Sequence, residues 1–182
     1  MKRNLLKNIF LSLCLVVFPM GMAAKQEATV TSPSGNLTLT AGVDKAGRPY
    51  YSLSRGKEAI LLPSYLGVKL KDGSLDSDFG VMGFVRATKD ETWHQPWGEE
   101  NDVRNHYNEL TMKLAQRKGL KRQLTIVFRV FDDGMGFRYV FPEQKNLKHF
   151  VIMDEETEFC FKGDPEAWTL PYDADYYEGL WT

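Results

Sequence analysis

Residues 110–141 read LTMKLAQRKGLKRQLTIVFRVFDDGMGFRYVF, and this stretch decides the fold. Its first two runs, 110–115 and 123–130, alternate apolar with polar side chains. A period of two places successive side chains on opposite faces of a strand. Lys-Gly at 118–119 separates these runs, and Asp-Asp-Gly at 132–134 separates the second run from a third. Since Gly accepts positive φ in tight turns, the stretch predicts three consecutive antiparallel strands.

The same pattern recurs through the rest of the chain. Residues 37–42 alternate apolar with polar side chains, a turn signal follows at 44–47, and residues 49–53 continue as a strand. Shorter strand signals lie at 60–62, 65–70, 150–153 and 157–161. No stretch has a helical period of adequate length. Many short strands joined by regular turns predict an all-β fold, as a sandwich or a barrel.

The first 24 residues have the three parts of a secretory signal peptide. Lys2, Arg3 and Lys7 form a positive start, residues 11–18 are apolar, and small residues precede a cleavage point after position 23 or 24. The apolar run is shorter than the ~20 residues that span a bilayer. A membrane anchor or a buried helix is the alternative. We therefore predict a signal peptide at 1–24, one domain at 25–182, and a periplasmic location.

Charge and cysteine content narrow the function classes. The chain has 23 Lys and Arg against 24 Asp and Glu, and removal of the signal peptide leaves 20 against 24, a net charge of −4. This balance provides no basic stripe for nucleic acid and no membrane-binding face. Cys160 stays as the one cysteine of residues 25–182. Because Phe159 and Phe161 flank it, we predict a buried structural thiol rather than a nucleophile.

Three acidic or histidine-rich stretches are candidate chemical sites. The first contains His94, Glu99, Glu100, Asp102, His106 and Glu109, without HExxH or CxxC spacing, so a solvated loop and strand end is preferred to a metal site. The second starts at Asp72, but a calcium loop counted from Asp76 has Ala87 at position twelve, where glutamate is needed. The third is the run 154–158, which reads as a solvated face. We assign no catalytic residue and no metal ligand.

One group of residues favours carbohydrate. Trp93, Trp97, His106, Tyr107 and Trp168 occur among amide, carboxylate and guanidinium side chains. Aromatic rings stack on sugar C–H faces, and the polar groups bind hydroxyls. The alternative is core packing with ordinary loop polarity. The candidate substrate-binding or pocket-wall residues are Trp97, Glu99, Arg104, Asn105, Asn108 and Glu109.

Four ordered segments then carry a family resemblance. They are Trp-Gly-Glu at 97–99, Arg-Asn-His-Tyr-Asn-Glu at 104–109, Phe-Arg-Val-Phe-Asp-Asp-Gly at 128–134, and Phe-Arg-Tyr at 137–139. In these segments the chain resembles the N-terminal domain of glycoside hydrolase family 97. Within the family it looks especially close to a periplasmic α-glucosidase of a starch-utilisation system.

The resemblance implies a galactose-mutarotase-like β-super-sandwich that packs on a (β/α)₈ barrel. Catalytic carboxylates belong to that barrel, and a calcium ion lies near the substrate in the intact enzyme. None of these groups has a counterpart assignable in this chain. The aromatic residues of 168–181 suggest a truncated sequence, with a missing C-terminal part that covers them.

The resemblance therefore implies the supporting N-terminal domain of a secreted α-glucosidase. Such an enzyme hydrolyses maltooligosaccharides, which are α-glucan oligosaccharides, from the non-reducing end. The expected partners are these sugars and the catalytic barrel of the same polypeptide, and the chain alone is expected to be inactive. Two alternatives stay open: a freestanding carbohydrate-binding module, and a purely structural domain that docks a barrel.

Overall fold

The computed structural model describes residues 26–166. The predicted signal peptide at 1–24 and the aromatic residues of 168–181 lie outside this range. All elements within it are strands, which confirms the all-β prediction. The strands are β1 (Glu27–Thr31), β2 (Leu37–Val43), β3 (Pro49–Arg55), β4 (Glu58–Tyr65), β5 (Val68–Leu70), β6 (Gly73–Leu75), β7 (Phe79–His94), β8 (Asp102–Gln116), β9 (Gln123–Val130), β10 (Met135–Val140) and β11 (Ile152–Glu155). Residues 26–166 contain no helix long and apolar enough to cross a membrane.

The first sheet is an antiparallel meander in the order β1-β2-β3-β4. Its β2–β3 hairpin has the predicted turn, where Gly47 adopts a φ of +77° and donates its N–H to the carbonyl of Asp44 over 2.9 Å. Alternation in β2 and β3 turns Leu37, Leu39 and Tyr51 toward the core, where they are fully buried. The hairpin confirms the strand signals at 37–42 and 49–53.

The second sheet has the order β10-β9-β8-β7 and contains the predicted meander. Strand β9 spans the predicted 123–130, whereas β8 begins eight residues before the predicted 110. The prediction missed β7, which pairs with β8 along its whole length. Residues 85–94 are exposed on both faces, so they lack the alternation that reveals a half-buried strand. Pairing with β8 holds this segment extended.

The core lies between the inner faces of these two sheets. Alternate residues of β8 and β9 are fully buried there, among them Leu110, Met112, Leu124, Ile126 and Phe128. Tyr51 from the first sheet lies 6.0 Å from Phe128 and 5.5 Å from Phe137 between ring centroids. Packing of two sheets through interleaved inward side chains gives a β-sandwich.

A smaller sheet in the order β11-β5-β6 differs from the predictions in three places. The predicted strand at 65–70 is shorter, because Tyr65 ends β4 and β5 begins at Val68. The signal at 150–153 corresponds to β11, two residues further on. The signal at 157–161 was wrong: this segment makes a single bridge, from Phe161 to Leu61. It follows the edge of β4 instead of forming a strand.

Cys160 is half-buried, so the prediction of a buried thiol was wrong. The flanking Phe159 and Phe161 are both exposed, which explains the error, since aromatic neighbours suggested a core position. The backbone N–H of Cys160 donates to Oγ of the buried Ser64 over 2.9 Å. The segment is therefore attached to β4 through its backbone rather than through the thiol.

Candidate functional site

The predicted site residues lie on a ribbon formed by β7 and β8. Pairing of β8 with β9 ends at Asn108 and Val130, whereas pairing of β7 with β8 continues to His94 and Asp102. We call residues 89–107, which extend beyond β9, the arm. An isolated two-stranded hairpin is marginally stable in water. The arm therefore depends on its own cross-strand contacts and on any other surface that packs against it.

Polar cross-strand pairs hold the arm together. Arg104 donates to both carboxylate oxygens of Asp90, each over 2.8 Å. Asn105 donates to Glu91 over 2.9 Å, and His94 lies 3.2 Å from Asp102. Hydrogen bonds from Arg104 lower the pKa of Asp90, although partial desolvation opposes this. The pairs fix Arg104 and Asn105 without any ligand.

Alternation along β8 separates the candidates onto two faces. Asn108 points toward the first sheet, where its amide donates to the carbonyl of Thr31 over 2.9 Å. Arg104 has the same parity and lies on that face. Asn105 and Glu109 have the opposite parity and lie on the outer face. The structure thus brings these four residues onto one ribbon but not around one pocket.

On the outer face, Glu109 belongs to a compact stack. Nε of Arg129 donates to its carboxylate over 3.0 Å, and the Arg129 guanidinium lies 4.4 Å from the ring centroid of Tyr107. This stack leaves Tyr107 only 4% exposed. Tyr107 is therefore a buried scaffold residue, and its ring is not presented to a sugar as the aromatic cluster suggested.

The remaining two candidates lie in the loop at the tip of the arm. This loop, residues 95–101, is closed by the N–H of Gln95, which donates to the carbonyl of Asn101 over 2.8 Å. Trp97 is 83% exposed, and Trp93 on the adjoining strand is 47% exposed. Glu99 is also exposed. The tip presents two large aromatic side chains beside a carboxylate.

Two of the candidate residues border a cavity in the described part of the chain. Asn108 and Glu109 line a space of about 300 Å³ with Thr29, Thr31 and Arg86, where the two sheets meet. Arg86 donates to the carbonyl of Thr29 over 2.9 Å. The polar groups of this cavity are largely hydrogen-bonded within the protein.

The calcium ion implied by the family resemblance does not fit the described residues. Within 26–166, no three acidic, histidine or cysteine side chains converge to hold a metal. Carboxylates of the arm, such as those of Asp90 and Glu91, are engaged by Arg104 and Asn105. We therefore derive no step through a metal for this part of the chain.

Sequence reasoning missed a second feature, on the outer face of the first sheet. Tyr50 and Tyr65 are direct cross-strand partners, and the Arg48 guanidinium lies 3.8 Å from the ring centroid of Tyr65. Cavities of about 460 and 470 Å³ lie against Tyr65. The available signal was the Tyr-Tyr pair at 50–51, in which alternation assigns one ring to the core and the other to the surface.

Comparisons with known proteins match nearly all of the chain. The glycosyl-hydrolase 97 N-terminal family model matches residues 30–182. A retaining alpha-galactosidase from Bacteroides thetaiotaomicron is 30% identical over 176 residues, which cover 93% of this chain and 25% of that protein. The chain thus spans about a quarter of this curated relative's length.

Solved structures give the same result. A glycoside hydrolase family 97 enzyme from Pseudoalteromonas sp. strain K8, solved in complexes with panose and with acarbose, matches with 31% identity and a TM-score of 0.78. The match covers 85% of this chain and 24% of that one. A beta-arabinopyranosidase matches with 28% identity and a TM-score of 0.68, over 74% and 21% of the two chains.

Proposed function

Because this chain belongs to the glycosyl-hydrolase 97 N-terminal family, we propose that it supports the sugar-binding pocket of a longer α-glucosidase. That enzyme would act on maltooligosaccharides from the non-reducing end. The observation that carries the proposal is the arm, which extends past the sandwich and ends in the exposed Trp97 and Glu99. An aromatic ring beside a carboxylate suits a pyranose, which has apolar C–H faces and a rim of hydroxyls.

The arm also supports docking to a neighbouring domain. A two-stranded ribbon is weakly held by its own contacts, and exposed Trp93 and Trp97 are large apolar surfaces. Burial of aromatic side chains dominates the energetics of interfaces. The arm would therefore gain stability against the catalytic barrel while its tip forms one wall of the substrate pocket.

Chemistry would belong to the rest of the longer polypeptide. There, a carboxylate would take a proton from water as the water oxygen attacks the anomeric carbon, the glycosidic C–O bond would break, and a protonated carboxyl group would give its proton to the leaving oxygen. The arm would orient the sugar and exclude bulk water. The calcium ion of the intact enzyme would take ligands outside residues 26–166. A signal peptide at 1–24 would direct the protein to the periplasm, where it would meet imported oligosaccharides.

A specific comparison favours a second substrate class. The Bacteroides relative is described as a retaining alpha-galactosidase, so the longer protein is alternatively an α-galactosidase. The two substrates differ in configuration at one sugar carbon. Activity of the longer polypeptide on 4-nitrophenyl α-glucoside and α-galactoside separates them, and a preference for the galactoside would overturn the glucosidase proposal.

The supporting role is tested by two measurements. The purified chain alone should release no glucose from maltose, and measurable release would refute the assignment of catalysis to another domain. In the longer polypeptide, Trp97→Ala should raise KM for maltotriose several-fold. Leu120→Ala is the matched control, because Leu120 is also exposed but lies beyond the opposite end of β8.

Four of the candidate polar side chains already have hydrogen-bond partners within the protein. This favours the alternative reading, in which the domain has a purely structural role. Under that reading, Trp97→Ala would weaken the attachment of the domain to its neighbour and leave KM unchanged. Limited proteolysis of the same variant would report the weaker attachment. An unchanged KM would therefore decide against the pocket-wall proposal.

A further inference from the structure

The outer face of the first sheet has a pair of adjacent tyrosine rings. Tyr50 of β3 and Tyr65 of β4 are paired in register, so their side chains lie next to each other on the same face. Their neighbours Tyr51 and Ser64 point inward and are fully buried. Tyr50 and Tyr65 are half-buried, which leaves part of each ring accessible. We call these two rings the tyrosine platform.

Hydrogen bonds and stacking hold the platform in place. The hydroxyl of Tyr50 donates to the Glu27 carboxylate over 2.6 Å. Nη2 of Arg48 donates to the Tyr65 hydroxyl over 2.7 Å, while its guanidinium stacks on the Tyr65 ring. Arg48 is itself held by Asp44 over 2.8 Å. Rings fixed before binding lose little conformational entropy when a ligand arrives.

Two cavities meet at Tyr65. The first, of about 460 Å³, is bordered by Val43, Lys45, Pro63 and both platform tyrosines. The second, of about 470 Å³, is bordered by Arg48, Asp76, Thr157 and Glu156 as well as Tyr65. Arg48, which stacks on the Tyr65 ring, lines the second cavity and not the first. An apolar aromatic space thus adjoins a space rich in hydrogen-bonding groups.

The charges around the platform favour a neutral ligand. The Asp44 carboxylate is paired with Arg48, and the Glu27 carboxylate accepts from Tyr50. Glu158 accepts from the backbone N–H of Tyr65 over 2.9 Å. Lys45 at the first cavity and Asp76 and Glu156 at the second have opposite charges, so the two cavities together favour neither an anion nor a cation. Flat rings with polar groups at their border match a pyranose, whose C–H face is apolar and whose hydroxyls point outward.

We propose that the tyrosine platform is a second, non-catalytic site that binds a neutral oligosaccharide. One pyranose stacks on the platform in the first cavity, and hydroxyls of the next residue reach Asp76 and Glu156 in the second. The site lies on the first sheet, apart from the arm. The assignment of a carbohydrate as the ligand rests on the proposed function, whereas the location of the site rests on the geometry alone. Such a site would hold a glycan chain near the enzyme between cleavage events.

Calorimetric titration of the purified chain with maltotriose, and separately with raffinose, tests the proposal. Tyr65→Ala should weaken the binding of at least one of these sugars about three- to tenfold, the range for loss of one aromatic contact. Tyr65→Phe keeps the ring and should retain affinity close to that of the wild type. Leu120→Ala, at an exposed position that borders neither cavity, should leave this binding unchanged.

A second measurement needs no variant. Addition of the sugar to the wild-type chain should shift the ring-proton NMR signals of Tyr50 and Tyr65. Equal affinities of Tyr65→Ala and wild type, unshifted platform signals, or no binding of either sugar would each overturn the second site. None of these results bears on the proposed supporting role of the domain. That role is tested by the KM of the longer polypeptide for maltotriose.

Discussion

Gly47 and Phe79 are in direct backbone contact: the N–H of Phe79 donates to the carbonyl of Gly47 over 3.0 Å. This contact joins the β2–β3 turn of the first sheet to the start of β7 in the second. A Cβ atom at Gly47 would lie 2.5 Å from the backbone nitrogen of Phe79 and 2.6 Å from its oxygen. The close approach of the two sheets at this end therefore requires glycine.

Gly47→Ala is expected to destabilise the protein far more than Gly35→Ala. Both glycines have a φ of +77°, but an added Cβ at Gly35 meets nothing within 4 Å. Gly35→Ala should cost about 1 kcal/mol from backbone strain alone. Gly47→Ala should cost about 2 kcal/mol more, because backbone atoms must move. Urea unfolding of both variants gives the difference, and equal costs would contradict the steric explanation.

Alkaline pH is expected to destabilise the fold through Tyr50 and Tyr51. Burial raises the pKa of each from 10.0 to about 12, and for Tyr50 the hydrogen bond to Glu27 adds to the rise. A raised pKa in the folded state means that the stabilisation is complete below pH 10 and is lost as pH rises toward 12. Unfolding free energies measured from pH 8 to 12 should stay level up to about pH 10 and fall from there toward pH 12.

Tyr51→Phe separates the two tyrosines. It removes the hydrogen bond from the Tyr51 hydroxyl to the carbonyl of Glu158, 2.9 Å away, and should cost about 1 kcal/mol at neutral pH. The variant should also lose part of the alkaline dependence, since one of the two groups no longer ionises. An unchanged alkaline profile would show that Tyr51 does not contribute to it.

The buried Arg122 is expected to depend on Asp72. Arg122 is 3% exposed, and its guanidinium bonds the Asp72 carboxylate and the carbonyl of Asn146. The Arg122 hydrogen bond lowers the pKa of Asp72. A lowered pKa means stabilisation that is present above the unfolded value, near 3.9, and lost as pH falls below it. Asp72→Asn should therefore destabilise the protein at pH 7 and flatten the acid limb of its pH–stability curve.

Arg122→Met is the companion variant for the same pair. It removes the buried charge, whereas Asp72→Asn leaves that charge without its anion. The Arg122 side chain is 4% exposed and that of Asp72 is 59% exposed, so loss of Asp72 leaves a buried charge unpaired, whereas loss of Arg122 leaves a carboxylate that water can solvate. We expect the Asp72→Asn variant to unfold at lower urea concentration than Arg122→Met, and the reverse order would contradict this account.

Trp97 and Tyr107 are expected to respond differently to truncation. Trp97→Ala should change the unfolding free energy by less than about 0.5 kcal/mol, as for exposed residues in general. Tyr107→Ala removes a buried ring beneath Arg129 and should cost about 3 kcal/mol. Thermal or urea unfolding of the purified chain compares them. A large cost for Trp97→Ala would mean that this ring packs within the domain.

Glu109 is expected to act as part of the scaffold. Its carboxylate accepts from Arg129, which stacks on Tyr107. A double-mutant cycle of Glu109→Gln and Arg129→Met should give a coupling energy of about 1 kcal/mol in urea unfolding, because the pair is partly shielded from water. A coupling near zero would leave Glu109 available for the pocket-wall role.

Residues 110–130 show why part of the fold could be predicted from the sequence. Leu110, Met112 and Leu114 face the core while their neighbours face solvent, so burial of one face left a period of two in the sequence. Most of strand β7 left no such record, because residues 85–94 are exposed on both faces. Its extended form comes from backbone pairing with β8, and backbone hydrogen bonds are nearly independent of side-chain identity.

The candidate site was likewise predictable from the sequence only in part. The six predicted residues do lie on or at the end of β8, because they are close in sequence. Their separation onto two faces follows from parity once the strand is known, yet Asn108 is directed at Thr31 only by the packing of the first sheet. Tyr50 and Tyr65 lie 15 positions apart and meet through the register of β3 with β4.

The sequence by itself determined the all-β class, the meander of β8 to β10 and the family, because these depend on local alternation, turn residues and short ordered segments. Only the tertiary structure shows how long the arm is, why position 47 requires glycine, and that two tyrosine rings form the tyrosine platform. Each of these depends on atoms brought together from distant positions, such as Gly47 and Phe79, whose contact leaves no periodic pattern in the chain.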